Sequence, residues 1–126
     1  EVRLYYGGSD YLHFGWRTGS LCLATLRPDG FAGYEPTDPG QPTVITTQPI
    51  PWTGEPIRIS ADVSAGGSIA VSVIGSTDAP PIHADPVLKT VTDGPLQWSG
   101  PIPNGAIRLR FEVKGAKLYS FSWEKR

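Results

Sequence analysis

The sequence predicts an all-β protein, an antiparallel β-sandwich of jelly-roll-like form with about seven to nine short strands. Gly and Pro number 15 and 13, and they are spread so evenly that long helices have no room to form. Between them, apolar and polar side chains alternate with a period of two, which is typical of half-buried strands. No helical segment separates these runs, so antiparallel pairing is favoured over an α/β arrangement. A closed barrel is the alternative.

Each expected strand is a short run of β-forming or alternating residues. In chain order the runs are residues 21–26, 43–47, 57–63, 69–73, 107–114 and 119–123. The clearest is 107–114, where apolar residues alternate with charged ones over four repeats. In 119–123, Tyr119, Phe121 and Trp123 fall on one side of the strand, so we expect all three rings to lie in the core or on a half-covered surface.

The segments between these runs carry turn-forming residues. Residues 28–30, 65–68, 93–95 and 103–105 each supply Gly for positive φ or Pro for a fixed φ. The proline-rich stretch 36–56 predicts edge strands and rigid turns. Near the start of the chain, aromatic and polar residues form a long loop between two strand-like runs, and a loop of this length is usually functional.

Length and charge exclude several classes of protein. The 126 residues suffice for one domain, and a formal net charge of −1 provides no field for nucleic acid or anionic lipid. No apolar run approaches the ~20 residues of a membrane span, and the first residues do not resemble a signal peptide. We therefore expect a soluble protein. Because the chain begins at Glu1 and has no Met, we expect it to be processed or excised from a longer protein.

Metal and catalytic motifs are not recognisable. Two His and one Cys give no zinc pattern, so no cofactor is expected, and a structural calcium ion near Asp78 to Asp85 is the alternative. Gly-rich phosphate loops and nucleophile elbows are missing from the sequence. Glycoside hydrolysis needs two carboxylates at a set separation. Because any chain with twelve acidic residues offers a possible pair, their number does not indicate hydrolysis.

Aromatic side chains are more informative, because a sugar ring stacks its apolar face on a flat aromatic ring. Trp52 lies in a turn after Pro51 and is the best candidate for an exposed platform, with Tyr34 expected at the same edge. Trp98 is in phase with Leu96 and is expected in the core. The remaining candidates are in the first loop, where they contact a ligand or pack on a neighbouring domain: Tyr11 and Trp16.

Two parts of the sequence resemble a known family. The segment LYYGGSD at 4–10, followed by His13, Arg17 and SLCLATLRPDGF at 20–31, resembles the junction in bacterial glycosidase-like proteins of the five-bladed propeller group, related to invertases and arabinanases. The segments IRLRF at 107–111 and AKLYSF at 116–121 resemble the closing strands of the β-sandwich that follows the propeller in those proteins.

This resemblance implies a single β-sandwich domain over 1–126, with 1–27 derived from the end of a preceding propeller domain. It implies that Asp10, His13 and Arg17 contact substrate in a complete enzyme. The catalytic carboxylates of such propellers lie in earlier blades, so the chain alone is not expected to be an enzyme.

Three functions remain open from the sequence. The first is a non-catalytic accessory module of a polysaccharide-degrading enzyme, which binds polysaccharide or oligosaccharide through exposed aromatic residues. The second is a structural β-sandwich that packs on and stabilises a catalytic propeller domain without binding glycan. The third is a fragment of a glycoside hydrolase in which Asp10 and His13 contribute to the reaction. Because polysaccharides lie outside the cell, a secreted or periplasmic location is expected.

Overall fold

The computed structural model describes residues 1–10, 18–74 and 80–123, and these contain strands and no helix. All strand pairs are antiparallel, which confirms the all-β, antiparallel prediction. The described residues also contain no helix long and apolar enough to cross a membrane. The strands are β1 (Val2–Ser9), β2 (Gly19–Leu26), β3 (Thr43–Thr46), β4 (Ile50–Trp52), β5 (Arg58–Ile74), β6 (Ile82–His83), β7 (Val91–Pro95) and β8 (Gly105–Ser122).

The chain divides into two compact units, which we call the hairpin unit (Glu1–Phe31) and the main unit (Ala32–Arg126). The prediction of one β-sandwich domain, with 1–27 of propeller origin, stays a prediction. In the hairpin unit, β1 pairs with β2 from Val2 opposite Leu26 to Ser9 opposite Gly19. The turn predicted at 28–30 is confirmed, since the Gly30 amide donates to the carbonyl oxygen of Arg27 at 3.1 Å.

The main unit is organised around the pairing of β5 with β8. Strands β3 and β4 pair with the other edge of β8, while β6 and β7 pair with the other edge of β5. At 17 and 18 residues, β5 and β8 are long rather than short, contrary to the prediction. Two predicted runs merge in β5 because residues 65–68 form no turn between strands. Instead the register shifts there: Val63 is opposite Ala116 and Ser68 is opposite Lys114, so residues 64–67 of β5 face Gly115 alone.

Among the described residues, the hydrophobic core of the main unit lies on one side of this sheet. Alternate residues of β5 and β8 are almost completely buried, as the pattern of period two predicts. The rings of Phe111 and Phe121 are 5.3 Å apart, although ten residues of straight strand would separate them by about 33 Å. Strand β8 therefore bends sharply, near Gly115, whose φ is 52°. The core comprises Trp52, Ile57, Ile59, Ala61, Ile69, Val71, Val73, Ala84, Leu96, Ile107, Leu109, Phe111, Val113, Ala116 and Leu118.

Candidate functional site

An open groove of about 240 Å³ lies on the face of the β5–β8 pair that points away from the core. It forms where the register of the two strands jumps, because the residues inserted at this bulge leave a depression beside Gly115. All of its lining residues belong to the main unit. They are Glu35, Pro36, Pro39, Asp62, Ser64, Gly115, Ala116, Lys117 and Tyr119.

Strand alternation places the charged side chains in this groove. Ala61 is buried in the core, so the next residue, Asp62, projects from the opposite face of β5. Asp62 is paired directly with Lys117 of β8, and directly opposed residues project from the same face of a sheet.

Tyr119 reaches the groove through a second irregularity. Ser60 is opposite Ser120, but Ala61 is opposite Leu118, so one extra residue of β8 is accommodated between them. The expectation that Tyr119 shares a face with Phe121 is therefore wrong. Phe121 packs against the core and stacks on Trp123 at 5.8 Å, as expected for those two rings, while Tyr119 lines the groove.

Two polar interactions fix the side chains of the groove. The Tyr119 hydroxyl donates to Asp62 Oδ2 at 2.8 Å, and Lys117 Nζ lies 3.1 Å from Glu35 Oε2. The hydrogen bond to Glu35, reinforced by the charge of that carboxylate, raises the pKa of Lys117 above its ordinary value. The Lys117 ammonium is therefore charged at neutral pH. A ring, two carboxylates and an ammonium thus border one depression.

The segment that carries Glu35 is tied to the edge of β8 by its backbone. The Tyr34 amide donates to the Leu118 carbonyl at 2.8 Å, and the Leu118 amide donates back to Tyr34 at 2.9 Å. This reciprocal pair sets Glu35 beside Lys117. The side chain of Tyr34 is 68% exposed, but it does not share an exposed edge with Trp52, because the Trp52 ring is buried.

Trp52 is not an exposed platform, contrary to the prediction. Its side chain is 8% exposed and belongs to the core, and its indole Nε1 donates to the carbonyl of Glu55 at 2.8 Å. The turn closes over the ring and satisfies its one polar group, as buried indoles require. Trp98 packs against the core, as its phase with Leu96 predicts.

The candidates of the first loop are only partly described. Asp10 Oδ1 accepts a hydrogen bond of 2.9 Å from the Thr18 amide, so this carboxylate bridges the two ends of the loop that joins β1 to β2. The other candidates lie outside the described residues: Tyr11, His13, Trp16 and Arg17. A role for any of these five residues in substrate contact stays a prediction.

Sequence reasoning missed the groove residues Glu35, Asp62, Lys117 and Tyr119. Each stands in an ordinary alternating or turn-like segment, and only the cross-strand register brings them together. The expected calcium alternative involves Asp78, which lies outside the described residues. In the described part of the chain, no group of three or more His, Cys, Asp or Glu residues could hold a metal ion.

The groove is suited to binding a polar ligand. Its carboxylates accept hydrogen bonds, its ammonium donates them, and the tyrosine ring offers an apolar surface beside them. Comparison with protein-family models found no match, and comparisons with curated proteins and with solved structures found none either.

Proposed function

We propose that this chain is a non-catalytic, carbohydrate-binding accessory module of a polysaccharide-degrading enzyme, with a β-sandwich body that holds glycan in the groove. Two resemblances support this association: segments 4–10 and 20–31 resemble the junction after a glycosidase propeller, and segments 107–111 and 116–121 resemble the closing strands of the β-sandwich that follows it. The groove carries the proposal, because a tyrosine ring stands there beside hydrogen-bonding side chains on an open face. The chain binds glycan and releases no sugar.

Sugar recognition needs both an aromatic surface and hydrogen-bonding side chains. The axial C–H groups of a pyranose pack on an aromatic face, while its hydroxyls exchange hydrogen bonds with carboxylates and amines. Tyr119 supplies the ring, and the hydrogen bond to Asp62 holds its phenol in place. Glu35 and Lys117, which also line the groove, hold each other in position through their ion pair.

The size of the groove indicates how much of a glycan it takes. Its volume of about 240 Å³ is below the roughly 300–1,000 Å³ of pockets that enclose a drug-sized ligand. The groove therefore accommodates a short part of a chain and leaves the remainder in solvent. This favours internal sugar units of a polymer over capture of a small free sugar.

Affinity electrophoresis of the full chain tests the proposal. We expect migration to be retarded in gels that contain at least one of xylan, mannan, hydroxyethyl cellulose or methyl-esterified polygalacturonan. Tyr119→Ala should weaken this retention by about two- to tenfold, because one aromatic contact contributes about 0.5–1.5 kcal/mol. Tyr5→Ala is the matched control, since Tyr5 is exposed but belongs to the hairpin unit.

Two results would count against the proposal. If none of these polymers retards the chain, it is not a carbohydrate-binding module. If reducing sugar accumulates when the chain is incubated with a polymer that it binds, the non-catalytic assignment is wrong.

The hairpin unit favours a second function, which is to pack on a neighbouring catalytic domain. One face of the hairpin carries Tyr5, Leu21 and Leu23, and the other carries Leu4 and Tyr6. The exposed fractions of Tyr5 and Leu21 are 64% and 82%. Strands that are apolar on both faces are typical of sheets covered on both sides, and a lone two-stranded hairpin is marginally stable. We propose that a propeller domain covers these faces in the parent protein.

Sedimentation velocity with dye binding tests this second function. We expect the full chain to self-associate as concentration rises, or to bind an apolar-surface dye, because both faces of its hairpin carry exposed apolar side chains. Leu21→Ser with Leu23→Ser should reduce both effects severalfold, whereas Leu88→Ser, at an exposed leucine of the main unit, should not. A monomer that binds no dye would contradict packing through the hairpin.

A further inference from the structure

The lining residues of the groove carry more negative than positive charge. Among its lining residues, Glu35 and Asp62 carry carboxylates and Lys117 carries the one ammonium. That ammonium lies 3.1 Å from Glu35, so the closest charge to it is already an anion of the chain itself. Asp62 is directly opposite Lys117 in the sheet and adds a second negative charge to the same small space.

We infer that the groove selects neutral sugar units and rejects uronic acids and other carboxylated sugars, an inference that rests on the proposed carbohydrate-binding function. A carboxylate of a ligand would have to compete with Glu35 for Lys117 and would lie near two like charges. Hydroxyl groups, in contrast, donate hydrogen bonds to carboxylates at no cost in charge repulsion. Like charges brought together at a binding site provide specificity against the wrong partner.

The test compares polymers that share a backbone and differ in charge. We expect the chain to be retarded about five- to tenfold more strongly by hydroxyethyl cellulose than by carboxymethyl cellulose, or by methyl-esterified polygalacturonan than by the same polymer after saponification. Because exposed charges are screened beyond about 10 Å at 0.1 M salt, the difference should shrink as salt is added.

Variants in which the carboxylates of the groove are replaced by amides test whether this selectivity arises in the groove. Asp62→Asn with Glu35→Gln leaves Lys117 as the one charged lining residue, so the preference should reverse in favour of the anionic polymers. The single variants Asp62→Asn and Glu35→Gln are matched in charge by the control Glu112→Gln, which removes one carboxylate from β8 where Glu112 pairs with Arg110, away from the groove lining. The control should keep the preference for neutral polymers.

The outcomes separate the inference from the function on which it rests. Failure of every polymer to retard the chain overturns the carbohydrate-binding function itself. Retention by anionic polymers that equals or exceeds retention by the neutral ones overturns the charge selectivity and leaves the function standing. A neutral preference that survives in the double variant also overturns the inference, because selectivity then arises outside the groove.

Discussion

Phe111→Ala is expected to lower the free energy of unfolding of the main unit by about 3–5 kcal/mol, because it leaves a cavity in a well-packed core. Phe111 is 0% exposed and lies opposite both Val71 and Ile45 in neighbouring strands. Its ring also contacts Phe121 at 5.3 Å, so the substitution removes a contact that joins the two halves of the bent β8. Few domains carry more than about 15 kcal/mol of stability, so this is a large fraction of the total.

Urea unfolding followed by circular dichroism measures the effect. Leu88→Ala is the control, since Leu88 is 65% exposed and a surface substitution usually changes stability by less than about 0.5 kcal/mol. Phe111→Leu keeps most of the volume and should cost less than the alanine variant, which keeps the comparison measurable if the latter does not fold. Equal stability of the alanine variant and the control would show that Phe111 is not a core residue.

Gly67→Ala is expected to destabilise the main unit by about 3 kcal/mol, the upper part of the usual range for overpacking. A Cβ at Gly67 would lie 2.2 Å from the carbonyl oxygen of Gly115 and 3.0 Å from that of Lys114. Both obstacles are backbone atoms of β8, which cannot turn away as a side chain can. The two strands would have to separate at the bulge that shapes the groove.

Thermal unfolding of the two variants Gly67→Ala and Gly100→Ala provides a matched comparison. A Cβ at Gly100 meets nothing within 4 Å, so this variant should unfold close to the temperature of the parent chain. Gly67→Ala should also weaken retention by any polymer that binds in the groove, since the bulge forms part of its wall. A Gly67→Ala chain as stable as Gly100→Ala would mean that β5 and β8 do not approach each other here.

Local alternation and β-forming residues predicted strands within β2, β3, β5 and β8, but no predicted run covers β1, β4, β6 or β7. Alternation also failed where the register is irregular. Residues 107–114 alternate without interruption, so their burial follows from sequence alone. The bulge at 64–67 and the extra residue near Tyr119 depend on how β5 pairs with β8, and this pairing joins residues that are 34 to 64 positions apart in the sequence. A period of two carries no information about such a shift, which moves a side chain to the other face.

The candidate site was harder to predict for the same reason. Trp52 was expected to be exposed because prolines and Gly surround it. Its indole N–H instead donates to the carbonyl of Glu55, three residues later, and this hydrogen bond folds the turn over the ring. Glu35 and Lys117 stand 82 positions apart and meet at 3.1 Å because Tyr34 pairs with Leu118. The exposure of Tyr34 was expected from the sequence, because it follows the turn-like segment 28–33 and not an alternating run.

Amide chemical shifts show, residue by residue, whether glycan binds in the groove beside Tyr119. The ¹⁵N-labelled chain would be titrated with an oligosaccharide cut from whichever neutral polymer retards it. Binding in the groove predicts saturable shifts concentrated at the amides of Glu35, Asp62, Lys117 and Tyr119, with the amides of Leu21 and Leu23 unchanged. Shifts that cluster elsewhere in the chain while these four amides stay unchanged would contradict it.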